Sequence, residues 1–225
     1  MTPEYLTSAG GRGAVLASRT AASIVNRTSY LGFTLDASDS MSSLAKVAVE
    51  SVNELISQQK KLEGSGDCRF LFTVFNNSVV SLCNLPLSRV DVSSILTDHY
   101  RPSGRTALSD AIANLISSLS AHAQGKGHSV LAVILTDGQE NASQQHSKED
   151  IRQMVSYRRV TDGWQFLFLG PERALSYALS IGIPKVNTAG FETTPEGLRL
   201  MLERLSRTMA AYRLGDRQFA LKLKG

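Results

Sequence analysis

The chain has 225 residues, of which 42% are hydrophobic and 20% charged, enough apolar side chain for one packed domain with arms but short for two full domains. That apolar fraction excludes disorder, the lack of any apolar run near the roughly 18 residues of a membrane span excludes a bilayer helix, and two cysteines exclude a disulfide framework. The net charge of +4 is uneven: +2 over residues 1–35, −3 over 36–198 and +5 over 199–225. Such basic ends on an acidic body disfavour a nucleic-acid binder.

The organisation expected is an N-terminal arm at 1–28, a single domain at 29–214 and a basic tail at 215–225. Residues 5–35 hold no acid and include Arg12, Arg19 and Arg27, which invites a transit-peptide reading. Against it, residues 30–35 already read as a core strand ending on Asp36. A ragged apolar face over 14–26 allows a helix, packed either on its own domain or on a partner. Residues 43–61 carry Leu44, Val47, Val52, Leu55 and Ile56 at helical spacing, and Gly64-Ser65-Gly66 ends that helix. Strands over 68–75 and 79–85 form a hairpin around Asn76-Asn77. If those two asparagines are the whole turn, Phe70 faces Cys83 and Cys68 faces Leu85, too far apart for an easy disulfide. Free, mostly buried thiols in a reducing, cytoplasmic compartment are expected.

A helix over 107–123 follows, and then 129–135 (SVLAVIL), a continuous apolar strand of the kind found where both sheet faces are covered. Helices over 148–158 and 172–181 flank a buried strand over 164–169. Thr194-Pro195-Glu196 starts a last helix with a cap, a first-turn proline and an early acid. After Gly215, Phe219–Lys224 alternates apolar and basic, the pattern of a strand that adds to a sheet edge or of a solvated tail. The β-α alternation predicts a Rossmann-like, doubly wound α/β fold. Its sheet is mainly parallel, with one antiparallel edge strand and helices on both faces.

In such a sheet, ligands bind beyond the carboxyl ends of the strands, at the switch in strand order. Two strands end there on aspartates, Asp36 and Asp137. In an extended loop Asp36, Ser38 and Ser40 point one way, and Ala37 and Asp39 the other. Thr106 adds a third hydroxyl. Two carboxylates and three hydroxyls form an all-oxygen set suited to a hard cation. Taken singly, each has a plainer role: Ser38, Ser40 and Thr106 as helix caps, Asp137-Gly138 as a turn. Jointly, three separate segments deliver oxygens to one edge of one sheet, and the metal reading is the stronger. His99, His122, His128 and His146 lack ligand spacing.

Asp36-Ala37-Ser38-Asp39-Ser40, Thr106 and Asp137 resemble, residue by residue, the metal-ion-dependent adhesion site of the von Willebrand factor A domain. The segments 103–112 (SGRTALSDAI) and 135–141 (LTDGQEN) are similar to that family as well. The likeness covers about residues 29–214, and 182–212 further resembles small stand-alone members from bacteria and their phages. The resemblance implies that Ser38, Ser40 and Thr106 bind the ion directly and that Asp36 and Asp137 act mostly through water. It implies Mg²⁺, with Mn²⁺ or Ca²⁺ as alternatives. Two positions depart from the family: Asp39 stands where glycine is common, and Arg105 where small residues are. Arg105 either offers charge to an incoming carboxylate or pairs with Asp39 or Glu140. Asp110 either supports the Thr106 loop or lies on a helix surface.

No G-x-G-x-x-G follows the first strand, and neither a phosphate-binding G-x-x-x-x-G-K-[ST] nor a G-x-S-x-G elbow occurs. The leading expectation is therefore a non-enzymatic, divalent-metal-dependent module. It binds a protein partner that supplies an Asp or Glu, with Asp39, Arg105, Gln139 and Glu140 around the ion. The alternative is a structural or assembly subunit of a phage particle or bacterial complex, forming homo- or hetero-oligomers through its arms. A metal-dependent hydrolase lacks a general base or nucleophile near the site.

Overall fold

The computed structural model describes residues 28–91, 96–97, 99–124 and 128–216; the helix expected over 14–26 and the strand expected over 219–224 lie outside them. Among the described residues, six strands form one sheet: β1 (Ser29–Asp36), β2 (Cys68–Phe75), β3 (Val79–Pro86), β4 (Ser129–Leu135), β5 (Gln165–Gly170) and β6 (Thr188–Gly190). Their order is β3-β2-β1-β4-β5-β6. All neighbours run parallel except β2 and β3. The helices are α1 (Ala45–Lys60), α2 (Leu108–Ser120), α3 (Lys148–Thr161), α4 (Glu172–Ser180) and α5 (Pro195–Arg213).

Period-two alternation splits the central strands between two cores. Leu31, Phe33 and Leu35 of β1 pack with Val52, Leu55 and Ile56 of α1 and Leu198, Leu202 and Leu205 of α5. On the other face, Ala132 and Ile134 of β4 and Phe166 and Phe168 of β5 meet Ile112 and Leu115 of α2 and Ile151 and Val155 of α3. All seven residues of β4 are buried, as a strand covered on both faces requires. Gly32 lets α2 lie against the sheet. A Cβ there would sit 2.7 Å from Leu119 Cδ1 and 2.8 Å from Leu115 Cδ1, closer than packed carbons tolerate. At the chain's far end Thr194 Oγ1 accepts from Gly197 N at 3.0 Å and Pro195 opens α5.

Two expectations are corrected. The helix expected from 43 begins as a 3-10 turn at Asp39–Leu44 and becomes α-helical only at Ala45. In a 3-10 turn residues three apart eclipse, which puts Met41 and Leu44 together in the core. The hairpin turn contains three residues rather than two, since Phe75 pairs with Val79, and a bulge between Phe72 and Thr73 shifts the register once more. Phe70 therefore faces Leu85, and Cys83 faces Phe72. The two cysteines stay free, Cys83 buried and Cys68 half-buried. The structure also adds β6, a three-residue strand beside β5, too short to announce itself by alternation. Among the described residues no helix is long and apolar enough to cross a membrane.

The chain steps from β1 to β2 on one side and reaches β4 on the other. The switch in strand order thus falls between β1 and β4, at the edge where Asp36 and Thr136 emerge.

Candidate metal centre

Asp36 ends β1 fully buried, and its carboxylate is fixed from two sides. Ser38 N donates to Oδ1 at 2.7 Å, and Thr136 Oγ1 donates to Oδ2 at 2.5 Å. Its backbone carbonyl accepts from the Tyr100 hydroxyl at 2.6 Å. The loop after it is tied to its neighbours by backbone bonds: Ala37 N to Phe75 O at 2.7 Å, Ser103 N to Ala37 O at 2.8 Å and Asp39 N to Gly104 O at 3.0 Å. Ser38 occupies the cap position of the 3-10 turn, yet its side chain caps nothing. Its Oγ lies 3.2 Å from Ser40 Oγ, and Ser40 Oγ donates to Asp137 Oδ1 at 2.6 Å. The capping role open to Ser38 is thereby excluded.

Thr106 is buried and is likewise not a cap, because that position of α2 belongs to Ala107. Asn141 holds it. Thr106 N donates to Asn141 Oδ1 at 2.9 Å and Asn141 N donates to Thr106 O at 3.0 Å. Gly138 shows where the Thr106 side chain lies: a Cβ on Gly138 would meet Thr106 Oγ1 at 3.0 Å and Asp36 Oδ2 at 3.6 Å. The missing side chain is a notch against which both oxygens rest. Asp36, Ser38, Ser40, Thr106 and Asp137 thus gather at one edge of the sheet.

The surrounding residues divide. Asp39, Arg105 and Gln139 are exposed at the rim. Arg105 forms an ion pair with neither Asp39 nor Glu140; its guanidinium donates to Asn141 O and its backbone N–H to Asn77 Oδ1 at 2.8 Å. Glu140 is turned into the protein's own loop. Its Oε1 accepts from Ala142 N (3.0 Å) and Ser143 N (2.8 Å), and its Oε2 from Ser109 N (2.6 Å) and Ser143 Oγ (2.7 Å). Asp110 supports a loop, but it is the segment 144–146 rather than the Thr106 loop. Its carboxylate accepts from Gln144 N and His146 N, each at 2.8 Å.

The charge balance is unfavourable without a cation. Burial pushes the Asp36 carboxyl up to about 6, and the negative charge of Asp137 adds to the rise. Asp137 is also raised by burial, against the Ser40 hydrogen bond and the charge of Arg173. Arg173 reaches only the Asp137 carbonyl oxygen, at 2.5 Å. For Glu140 burial acts upward, yet its donors outweigh it and lower the carboxyl. Among the described residues no three His, Cys, Asp or Glu side chains gather, so an ion here depends on hydroxyls as well as on the two acids. Two buried carboxylates crowding one another, three hydroxyl oxygens and a glycine notch fit a hard divalent cation.

Sequence reasoning missed Tyr100, Thr136 and Asn141 as positioning residues. Thr136 stands between a strand end and Asp137, so its proximity was readable. Asn141 lies in the same loop as Asp137, within the segment 135–141, but its role on Thr106 depends on the fold; Tyr100 acts from a remote loop and left no local signal.

The family model for the von Willebrand factor type A domain matches residues 31–181. A comparison with curated protein sequences finds no match. Among solved structures, proximal thread matrix protein 1 from the mussel byssus, with a zinc-occupied MIDAS motif, superposes with a TM-score of 0.62 at 18% identity, covering 82% of this chain and 46% of that one. The pilus adhesin SpaC from Lactobacillus rhamnosus GG gives 0.66 at 11% identity, covering 83% and 31%. The vWF domain of the pilus tip protein Mfa5 from Porphyromonas gingivalis gives 0.60 at 9%, covering 81% and 95%. The chain spans less than half of the mussel protein and about a third of SpaC, but nearly the whole of the Mfa5 domain.

Proposed function

The chain belongs to the von Willebrand factor type A domain family, and from that premise we propose that it is a non-enzymatic, divalent-metal-dependent protein-binding module. The module extends over 29–214. Ser38, Ser40 and Thr106 hold the ion directly, and Asp36 and Asp137 hold it mainly through water. Mg²⁺ is the proposed native ion, with Mn²⁺ or Ca²⁺ as alternatives; the site of the similar mussel protein was occupied by zinc. The ion supplies an electrophilic position that a carboxylate from a partner protein completes. With only two acids in the set, both buried and neither ligating directly, the ion keeps most of its charge for that carboxylate.

The observation that carries this reading is the convergence of Asp36 and Asp137, both buried, with no cationic side chain among the described residues on either carboxylate. Around the ion, the exposed Asp39, Arg105 and Gln139 meet the partner. Glu140, whose oxygens are already used, positions the loop that carries Asn141. Among the described residues beside the site, the three hydroxyls are assigned to the ion, and Tyr100 is buried and held far above its ordinary pKa by burial and the two acids.

The test is calorimetric titration of the EDTA-treated protein with Mg²⁺, Mn²⁺ and Ca²⁺, followed by pull-down from the native host with Mg²⁺ and with EDTA. One-to-one metal binding that Asp137→Asn removes, and captured bands that vanish in EDTA, are expected. Metal binding with no metal-dependent band would leave assembly through the terminal arms as the function.

A further inference from the structure

The opposite end of the sheet contains a second polar feature. A cleft of about 480 Å³ opens where β1 and β2 begin and β3 ends, lined among others by Tyr30, Lys60, Gly66, Asp67, Arg69 and Arg213. It lies about 23 Å of β1 away from Asp36, at roughly 3.3 Å per residue. Its volume falls in the range of small-molecule sites, and its wall carries three cations against one carboxylate.

Arg213, at the end of α5, is only 5% exposed. Its Nη1 donates to Gln59 O at 2.6 Å and to Gln59 Oε1 at 3.3 Å, and Nη2 to Ser65 Oγ at 2.7 Å. Nε is buried and has no partner. Among the described residues no carboxylate pairs with this guanidinium. The plainer role is a cap on the C-terminus of α1, whose last carbonyls include Gln59 O. A helix terminus offers only about half a negative charge, so a buried unit charge stays under-compensated, and an uncompensated buried charge is costly. The unpaired Nε–H is one of the two donors of the guanidinium edge that forks onto a carboxylate or phosphate.

Arg69 and Lys60 complete the wall and are themselves anchored. Arg69 Nε donates to Asn84 Oδ1 at 2.6 Å and its Nη2 to Asn84 O at 2.7 Å. Lys60 Nζ donates to Val90 O at 2.8 Å. None of the three cations is spent on an acid among the described residues. Burial also draws the Arg213 guanidinium below its ordinary pKa, with the Cys68 sulfur opposing, the direction expected of a cation whose counter-charge is absent.

We propose that this cleft is an oxyanion site: Arg213 at its base, with Arg69 and Lys60 at its rim, binds a phosphate or carboxylate group at the end of the sheet remote from the metal centre.

The test uses the full chain in EDTA, so that no anion is held through a metal. Inorganic phosphate and, separately, acetate are titrated at constant ionic strength made up with chloride, and amide chemical shifts are followed by NMR. Saturable shifts centred on Gly66, Cys68 and Arg69 are expected with at least one of the two anions, and the arm that saturates tells phosphate from carboxylate chemistry. Arg213→Met should abolish them. Because that variant also loses its bonds to Gln59 and Ser65, Arg69→Gln provides the second measure, with affinity about tenfold weaker and an unchanged fold. No saturation with either anion, shifts confined to the loops around Asp36 and Thr106, or wild-type affinity in Arg69→Gln would each overturn the assignment.

Discussion

Ser40 donates its hydroxyl proton to Asp137 Oδ1 at 2.6 Å although 97 residues separate the two in the chain. The bond joins the loop after β1 to the loop after β4 through side chains, and it partly offsets the rise that burial imposes on the Asp137 carboxyl. Ser40→Ala removes a proposed metal ligand and this donor together. Mg²⁺ affinity is expected to fall at least tenfold, about 1.4 kcal/mol, and the Asp137 carboxyl to titrate higher in the metal-free protein. Calorimetry and carboxyl NMR titration read the two effects separately. Undiminished affinity would remove Ser40 from the site.

Asp36 sets the pH dependence. Its folded-state carboxyl is pushed from 3.8 up to about 6. A raised carboxyl penalises the folded state above that value, and the penalty is relieved as pH falls from about 6 towards 3.8. A rise of about two units corresponds to roughly 3 kcal/mol. The metal-free protein is therefore expected to melt higher at pH 5 than at pH 7. Asp110 and Glu140 oppose this at lower pH. Despite some burial their hydrogen bonds hold both below the usual range, so their stabilisation is present above their unfolded values and is lost in stronger acid. Mg²⁺ affinity should run the other way and fall as pH drops through about 6, when a proton takes the Asp36 site. Asp36→Asn should flatten the melting profile between pH 5 and 7; an equally steep profile in that variant would assign the effect to another group.

Much of this was legible because the signals are local. The strand over 129–135 is one apolar run between polar flanks, and Thr194-Pro195 marks the start of α5 by cap chemistry alone. Asp36 and Ser38 share the extended chain at the end of β1, so their common direction follows from alternation, whereas Ser40 sits in the 3-10 turn and reaches Asp137 from there. What could not be read depends on contacts distant in sequence. The hairpin register turned on a third turn residue, Ser78, and on a bulge beside Phe72, neither of which the pair Asn76-Asn77 announces. Asp110 reads in sequence equally as a support of the Thr106 loop or as a helix-surface acid, and that it holds the segment 144–146 depends on how α2 meets that segment. Glu140 looks like a surface acid in sequence, and only the fold brings Ser109 N to within 2.6 Å of it.

Gly138 offers a substitution that changes shape without changing charge. Its φ is not in the left-handed region, so alanine strains no backbone. The added Cβ would stand 3.0 Å from Thr106 Oγ1, and the threonine must yield by a few tenths of an ångström. Gly138→Ala is expected to weaken Mg²⁺ binding about tenfold while the metal-free melting temperature changes little, because the added Cβ crowds one side-chain hydroxyl and no backbone atom. Calorimetry beside a thermal melt checks both. Equal losses in affinity and stability would point to general distortion of the loop instead.

Thr106→Ala distinguishes docking through the ion from docking on loops that the ion merely organises. The substitution removes one oxygen ligand and no charge, so long-range electrostatics are preserved. The backbone bonds between Thr106 and Asn141 use main-chain atoms of Thr106 and survive it. If a partner carboxylate completes the coordination of the ion, partner affinity should fall by more than tenfold, about 1.4 kcal/mol. EDTA should reproduce that loss in the wild type and add little in the variant, because both act through one ligand sphere. If the ion only braces the loops, the variant should lose affinity modestly and EDTA should weaken it further. Binding isotherms for a partner recovered by pull-down, measured for wild type and Thr106→Ala with Mg²⁺ and with EDTA, separate these outcomes. Equal affinity in all four conditions would place the contact away from this edge of the sheet, on surfaces that no ion controls.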